Sequence, residues 1–340
     1  MIREDFAAAG GCSTGKRLAG VEGRVVGVEW DADAVATARA AGHERLHADV
    51  RSDLIRRRNW GQLDGYTAGP PCQTFTTTGN GDGRRALDHL KRAAELVAEG
   101  ARPENAIASV CDEKLDERSV LVLEPLLVIA RHRPKWVLLE QVPTVLPIWK
   151  AFAEILAEKW GYHVRAEILN SEQYGVAQTR KRAFLAAHLE RPVSMPAPTH
   201  SRFYAHDPER LDAGVCKWVS MEEALADEGL PAYGGLYLRS NYGTGGDASR
   251  RGERLISQPS FAVTGKVGRN KWHGRLSGNE LRRVSHMEAG VFQSFPADYP
   301  WQGASGSQYQ QIGNAAPPKL VAAVMRELVD AKPVALAAAA

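Results

Sequence analysis

Over its first 190 residues the chain alternates short apolar runs with helical stretches, and the runs end in polar, reactive side chains. Residues 24–30 read as a strand, and 31–42 as an Ala-rich helix with Asp31 as N-cap and Gly42 as terminator. Further strands are expected near 44–48 and over 63–68. Residues 120–131 carry a helical pattern, 136–140 form a buried strand, and 147–160 form another helix. Strands near 162–169 and 182–188 complete the set. This alternation predicts an α/β fold: a doubly wound, Rossmann-like, mostly parallel sheet with helices on both faces. Ligands of such sheets sit at the carboxyl ends of the strands. Glu29, Asp49, Cys72 and Glu140 all fall at those ends.

At 340 residues there is room for two domains, or for one large domain with a smaller one attached. A hydrophobic content of 44% and a charged content of 24% are those of an ordinary globular protein. No apolar run approaches the ~20 residues that span a membrane. Acidic residues at Glu4 and Asp5 stand where a signal peptide needs an apolar stretch. The four cysteines (12, 72, 111 and 216) show no CxxC spacing, which argues against a zinc site or disulfide framework and favours a reducing cytoplasm. Net charge is only +3, yet arginines cluster at 56–58, 84–85, 250–251 and 282–283. Such clusters suit either a phosphate backbone or a solvated surface.

Beyond residue 190 the pattern changes. The stretch 191–285 is rich in Gly, Pro, Ser and Arg and reads as a smaller, loop-rich domain. Residues 286–330 return to the first domain and end in a helix over 317–330, with prolines in its first turn. The tail, 331–340, is expected to be disordered. Residues 81–115 stand out as a helical insertion, preceded by a glycine-dense run at 79–83 that suits a mobile active-site loop or a plain surface loop.

Five pieces share one chemical theme. Phe6 to Gly11 is a small-residue turn after a strand, which lets a nucleotide-like ligand approach the backbone. Glu29 lies about 20 residues on, where this fold class binds ribose hydroxyls. Gly69-Pro70-Pro71-Cys72-Gln73 is a proline-stiffened turn that presents a cysteine. Glu140 is a carboxylate at the mouth of a buried strand. In Gln178-Thr179-Arg180-Lys181-Arg182, strand alternation would align Gln178, Arg180 and Arg182 on one face.

With these pieces in this order, the chain resembles the DNA (cytosine-5) methyltransferase family over nearly its whole length. Ala48-Asp49-Val50, Gln293 to Tyr299 and Gly313 to Pro318 add to the match. The resemblance implies methyl transfer from S-adenosylmethionine to carbon 5 of cytosine in a specific double-stranded sequence, without a metal. Cys72 would be the nucleophile, and Glu140 the group at ring nitrogen 3. Arg182 would hold the carbonyl oxygen, with Arg180 and Gln178 beside it. Phe6, Ala7, Gly10, Gly11, Glu29, Trp30, Asp49, Val50, Pro71, Leu121 and Asn314 would form the cofactor site. In the variable region, Arg250, Arg251, Lys266, Arg269 and Lys271 would meet DNA. The target base must be flipped out of the duplex to be reached. A monomer in a bacterial or phage-type cytoplasm, associated with the nucleoid and paired with a cognate restriction endonuclease, fits the same picture.

The chain also departs from the family pattern. Gln141 stands where the family has an asparagine that braces the nucleophile turn. Ala8 replaces the glycine of the usual Phe-Ala-Gly, and Asp116-Glu117-Arg118-Ser119 is delayed by the insertion. Two other readings stay open: a tRNA methyltransferase on the same scaffold, and a non-catalytic DNA-binding relative. The first typically carries Cys-Phe-Thr in the variable region, whereas Cys216 here precedes Lys217-Trp218.

Overall fold

Three strands, β1 (Ile2–Asp5), β4 (Gly65–Ala68) and β5 (Trp136–Gln141), are buried at every residue. Strands of that kind belong in the middle of a parallel sheet covered on both faces. In a computed structural model of the chain they occupy that place. The structure describes residues 1–71, 73–75, 85–112, 115–232, 234–241 and 251–329. Cys72, Arg250, the run 79–83 and the tail 331–340 lie outside the described residues.

With β2 (Val25–Glu29), β3 (Glu44–His47), β6 (His163–Asn170) and β8 (Lys181–His188), the central strands form a seven-stranded sheet of order 3-2-1-4-5-8-6. β1 to β5 pair in parallel, and β8 alone runs against its neighbours. Alternate residues of β5 feed two cores. Val137 and Leu139 face the helices Leu87–Ala98, Glu124–His132 and Leu146–Trp160. Trp136 and Leu138 share the other core with Ala19 of helix Gly11–Ala19 and with Leu320 and Val324 of helix Pro318–Val329. Gly15 permits that helix pair, since a Cβ there would lie 2.6 Å from the Cβ of Val321.

Several elements differ in detail from the sequence expectation. Asp31 does cap its helix, accepting from Ala34 N at 2.8 Å. The stretch 120–131 is instead a short helix, Glu117–Val120, a 3-10 turn, Leu121–Leu123, and then helix Glu124–His132 with Pro125 in its first turn. Proline has no N–H to bond back into a preceding turn, so the helix restarts there. The insertion carries two helices, Leu87–Ala98 and Pro103–Val110, separated by Gly100 at φ +101°. The run 178–182 is broken at Arg180. Its first part, β7 (Gln178–Thr179), leaves the main sheet to pair with β11 (Ser260–Phe261). The loop-rich stretch contains a four-stranded antiparallel sheet of β10 (Glu253–Leu255), β9 (Leu236–Arg239), β12 (Lys271–Gly274) and β13 (Glu280–Arg283). Among the described residues no helix is long and apolar enough to cross a membrane.

Candidate active site

The antiparallel register of β8 on β5 brings Arg182 beside Glu140 at the carboxyl edge of the sheet. Arg182 Nε lies 2.8 Å from Glu140 Oε1. The contact is a close ion pair between two largely buried side chains. Burial pushes the Glu140 pKa up, against the opposing pull of Arg182 and Arg180. A carboxyl held in this way keeps a proton at higher pH than usual.

The turn that leads to Cys72 passes close to the same carboxylate. A Cβ on Gly69 would lie 3.6 Å from Glu140 Oε2. Gln141 Nε2 donates to the carbonyl of Pro70, while its Oε1 accepts from Val142 N. The longer glutamine side chain therefore still reaches the turn it has to brace. On the far side, Thr144 Oγ1 donates to Phe75 O at 2.7 Å and Arg118 to Gln73 Oε1 at 3.2 Å.

Phe6, Ala7, Gly11, Gly69, Glu140 and Asn314 line one cleft. The turn along its wall has left-handed backbone at two non-glycine residues, Phe6 (φ +53°) and Ala8 (φ +44°). Glu29 holds this turn, with Oε2 accepting from Ala8 N at 2.8 Å and Oε1 from Trp30 N and Asp31 N at 2.9 Å. The Trp30 side chain is 74% exposed, an uncovered ring beside an acidic strand end. An open aromatic face, a carboxylate at a strand end and a tight turn suit a nucleoside with a charged tail, as in S-adenosylmethionine. Asp49 is half-buried and paired with Arg51 at 2.8 Å, and Val50 is buried beside it. Leu121 lines a separate cavity of about 650 Å³, shared with Arg51 and with Ile107 and Cys111 of the insertion.

Gln178 and Arg180 are fully buried and act on the backbone rather than facing the cleft with Arg182. Gln178 donates to Phe292 O at 2.9 Å and accepts from Val263 N at 2.9 Å. Arg180 donates to Val263 O, to Gly313 O at 2.8 Å and to Ala315 O at 3.2 Å, which fixes the backbone on both sides of Asn314. Of the residues expected at DNA, Lys266 and Arg269 are exposed and Arg251 is half-buried. Lys271 is paired with Glu280 at 2.6 Å.

Sequence reasoning missed the floor of the cleft. Glu4 Oε2 accepts from Lys16 Nζ and Ser13 Oγ, both at 2.7 Å, and Lys16 also donates to Thr67 at 2.8 Å. Arg45 lies 3.7 Å from Glu4. Burial would push the Glu4 pKa up, but Lys16 and Arg45 overcome it and bring it down to about 2. The available signal was a lysine on the buried side of a helix that follows a strand containing glutamate.

The sequence matches the profile of a family described as C-5 cytosine-specific DNA methylase over residues 2–102 and 108–330. It is 28% identical to the type II methyltransferase M1.HphI of Haemophilus parahaemolyticus, over 94% of this chain and 84% of that one. It is 24% identical to the type II methyltransferase M.Sau96I of Staphylococcus aureus, over 96% and 75% of the two chains. Among solved structures, the S. pombe Dnmt2 methyltransferase superposes with a TM-score of 0.62 at 14% identity, covering 97% of this chain and 98% of that one.

Proposed function

This chain belongs to the family of C-5 cytosine-specific DNA methylases, and from that premise we propose that Cys72, Glu140 and Arg182 carry its chemistry. It is a methyltransferase that modifies carbon 5 of cytosine in DNA. The observation that carries the residue assignment is the buried Glu140 carboxylate paired with Arg182 at 2.8 Å, close to the turn that leads to Cys72.

Carbon 5 of cytosine is a weak nucleophile. Addition of the Cys72 thiolate to carbon 6 turns the ring into an enamine, whose carbon 5 can form a bond to an electrophilic methyl group. Glu140 supplies a proton or hydrogen bond at ring nitrogen 3, which needs the raised pKa that burial gives it. Arg182 holds the carbonyl oxygen and offsets charge on Glu140. Loss of the carbon 5 proton then expels the thiolate and restores the aromatic ring.

S-adenosylmethionine, when bound, supplies the methyl group on a sulfonium. Glu29 would take its ribose hydroxyls, Trp30 and Phe6 its adenine faces, Asp49 the adenine amine, and Pro71 and Asn314 its methionine end. Gln178 and Arg180 hold the wall that carries Asn314. We assign residues 1–190 and 286–330 to the catalytic unit and 191–285 to target recognition, where Arg251, Lys266 and Arg269 supply free charge for phosphates. Arg250 belongs to the same group by sequence. The type II names of the relatives support a cognate endonuclease and a cytoplasmic enzyme acting on double-stranded DNA.

Expression in a methylation-free host followed by bisulfite sequencing of its genome tests this reading. A recurring methylated cytosine context is expected. Soluble protein that leaves every cytosine unmodified would contradict it.

A further inference from the structure

We propose that Tyr299 is a positioning residue for the cofactor turn, so that the segment from Phe295 to Gly303 is a working part of the cofactor site. The proposal rests on the reading that S-adenosylmethionine lies against Phe6 to Gly11. That turn contains a backbone conformation that alanine resists: Ala8 sits at φ +44°. A left-handed non-glycine residue persists only where its surroundings over-determine it.

Three side chains from distant parts of the chain do this, two on the peptide group between Ala7 and Ala8 and one on the peptide group that follows Ala9. Arg45 donates to Ala7 O at 3.3 Å, Glu29 accepts from Ala8 N at 2.8 Å, and the Tyr299 hydroxyl donates to Ala9 O at 2.5 Å. Of the two donors Tyr299 makes the shorter bond, and its ring is packed among other aromatics. Its ring centroid lies 4.6 Å from that of Phe295 and 4.7 Å from that of Trp301. Gln302 N then donates to Thr37 Oγ1 at 2.8 Å, which ties the segment to helix Ala32–Ala40. The hydroxyl also fills the space over the next residue, since a Cβ on Gly10 would lie 2.7 Å from it. Glu29 is the one of the three that ribose hydroxyls would engage. Tyr299 therefore supplies a hold on the turn that does not change hands when the cofactor enters.

Tyr299→Phe keeps the ring packing and removes only the hydroxyl. Calorimetric titration with S-adenosylmethionine should show Kd raised about fivefold, the size of one hydrogen bond. kcat at saturating cofactor should stay near wild type, and the thermal midpoint should fall by only a few degrees, as loss of one buried hydrogen bond requires. Adding Ala8→Gly to Tyr299→Phe should bring Kd back to within about twofold, because glycine adopts the left-handed conformation unaided. Trp30→Ala, measured alongside, reports on the underlying reading. Weakened binding in Trp30→Ala with unchanged binding in Tyr299→Phe would overturn the role of Tyr299. So would a double variant as weak as Tyr299→Phe alone, since the loss would then not lie in Ala8. Unchanged binding in both single variants would overturn the placement of the cofactor at this turn, and the proposal with it.

Discussion

Glu140 receives two opposed influences, and their balance sets its use. Burial raises its pKa, while Arg182 at 2.8 Å favours the charged form. A proton-donating carboxyl loses activity as pH rises through its pKa. Replacing Arg182 by Met leaves burial less opposed, so the Glu140 pKa rises further. The alkaline limb of the kcat–pH profile should then move to higher pH in Arg182→Met, although the overall rate falls. A limb that stays in place, or moves to lower pH, would show that Glu140 is not the group being titrated. The meeting of Glu140 and Arg182 was legible in the sequence because each is a charged residue at or beside a strand end. Lys16 and Tyr299 were not. Lys16 meets Glu4 across a helix turned back over a strand, and the Tyr299 hydroxyl meets Ala9 O 290 residues away in sequence.

At the scale of elements, helix Gly11–Ala19 is joined to β1 and β4 by a charged contact inside the core. Lys16 and Glu4 are both almost completely buried, and Thr67 completes the lysine's partners. Lys16→Met leaves Glu4 with a weaker counter-charge, and breaking such a pair costs about 3–5 kcal/mol. Urea unfolding at neutral pH should show that loss. Glu4 has its pKa lowered in the folded state, from 4.5 to about 2. Its contribution is therefore present above about pH 4.5 and is lost as pH falls toward 2. Wild type should lose stability across that window, and Lys16→Met should lose less there.

β5 and β8 were readable because their burial is written as largely continuous hydrophobic runs. The second sheet was not. Its strands are three or four residues long, β13 is exposed throughout, and the β12–β13 register shifts between Trp272 and His273. The break at Arg180 was hidden too, because alternation of side chains continues on paper through a residue where the chain changes sheets.

Over the whole molecule, a net charge of +3 gives no strong general attraction for nucleic acid. DNA affinity must come from local groups, and many surface arginines are already paired, such as Arg239 with Glu253 at 2.6 Å. Lys266 and Arg269 are exposed and make no ion pair with a described residue. Replacing either by Ala should reduce the slope of log Kd against log salt by about one. Lys271→Ala should change it less, because Glu280 already occupies that ammonium. Anisotropy titrations with a duplex carrying the methylated context, across a salt series, measure this. Equal slopes in all three variants and wild type would place the DNA elsewhere.

The most direct test of the chemistry is covalent capture. DNA from cells grown on 5-azacytidine offers every cytosine context with a ring that has no carbon 5 proton to lose, so the thiolate stays bonded to carbon 6. Incubation with the enzyme and S-adenosylmethionine, followed by digestion and mass spectrometry, should place the adduct on Cys72 and show none with Cys72→Ser. An adduct on Cys12, Cys111 or Cys216, or methylated DNA from the Cys72→Ser enzyme, would contradict the assignment.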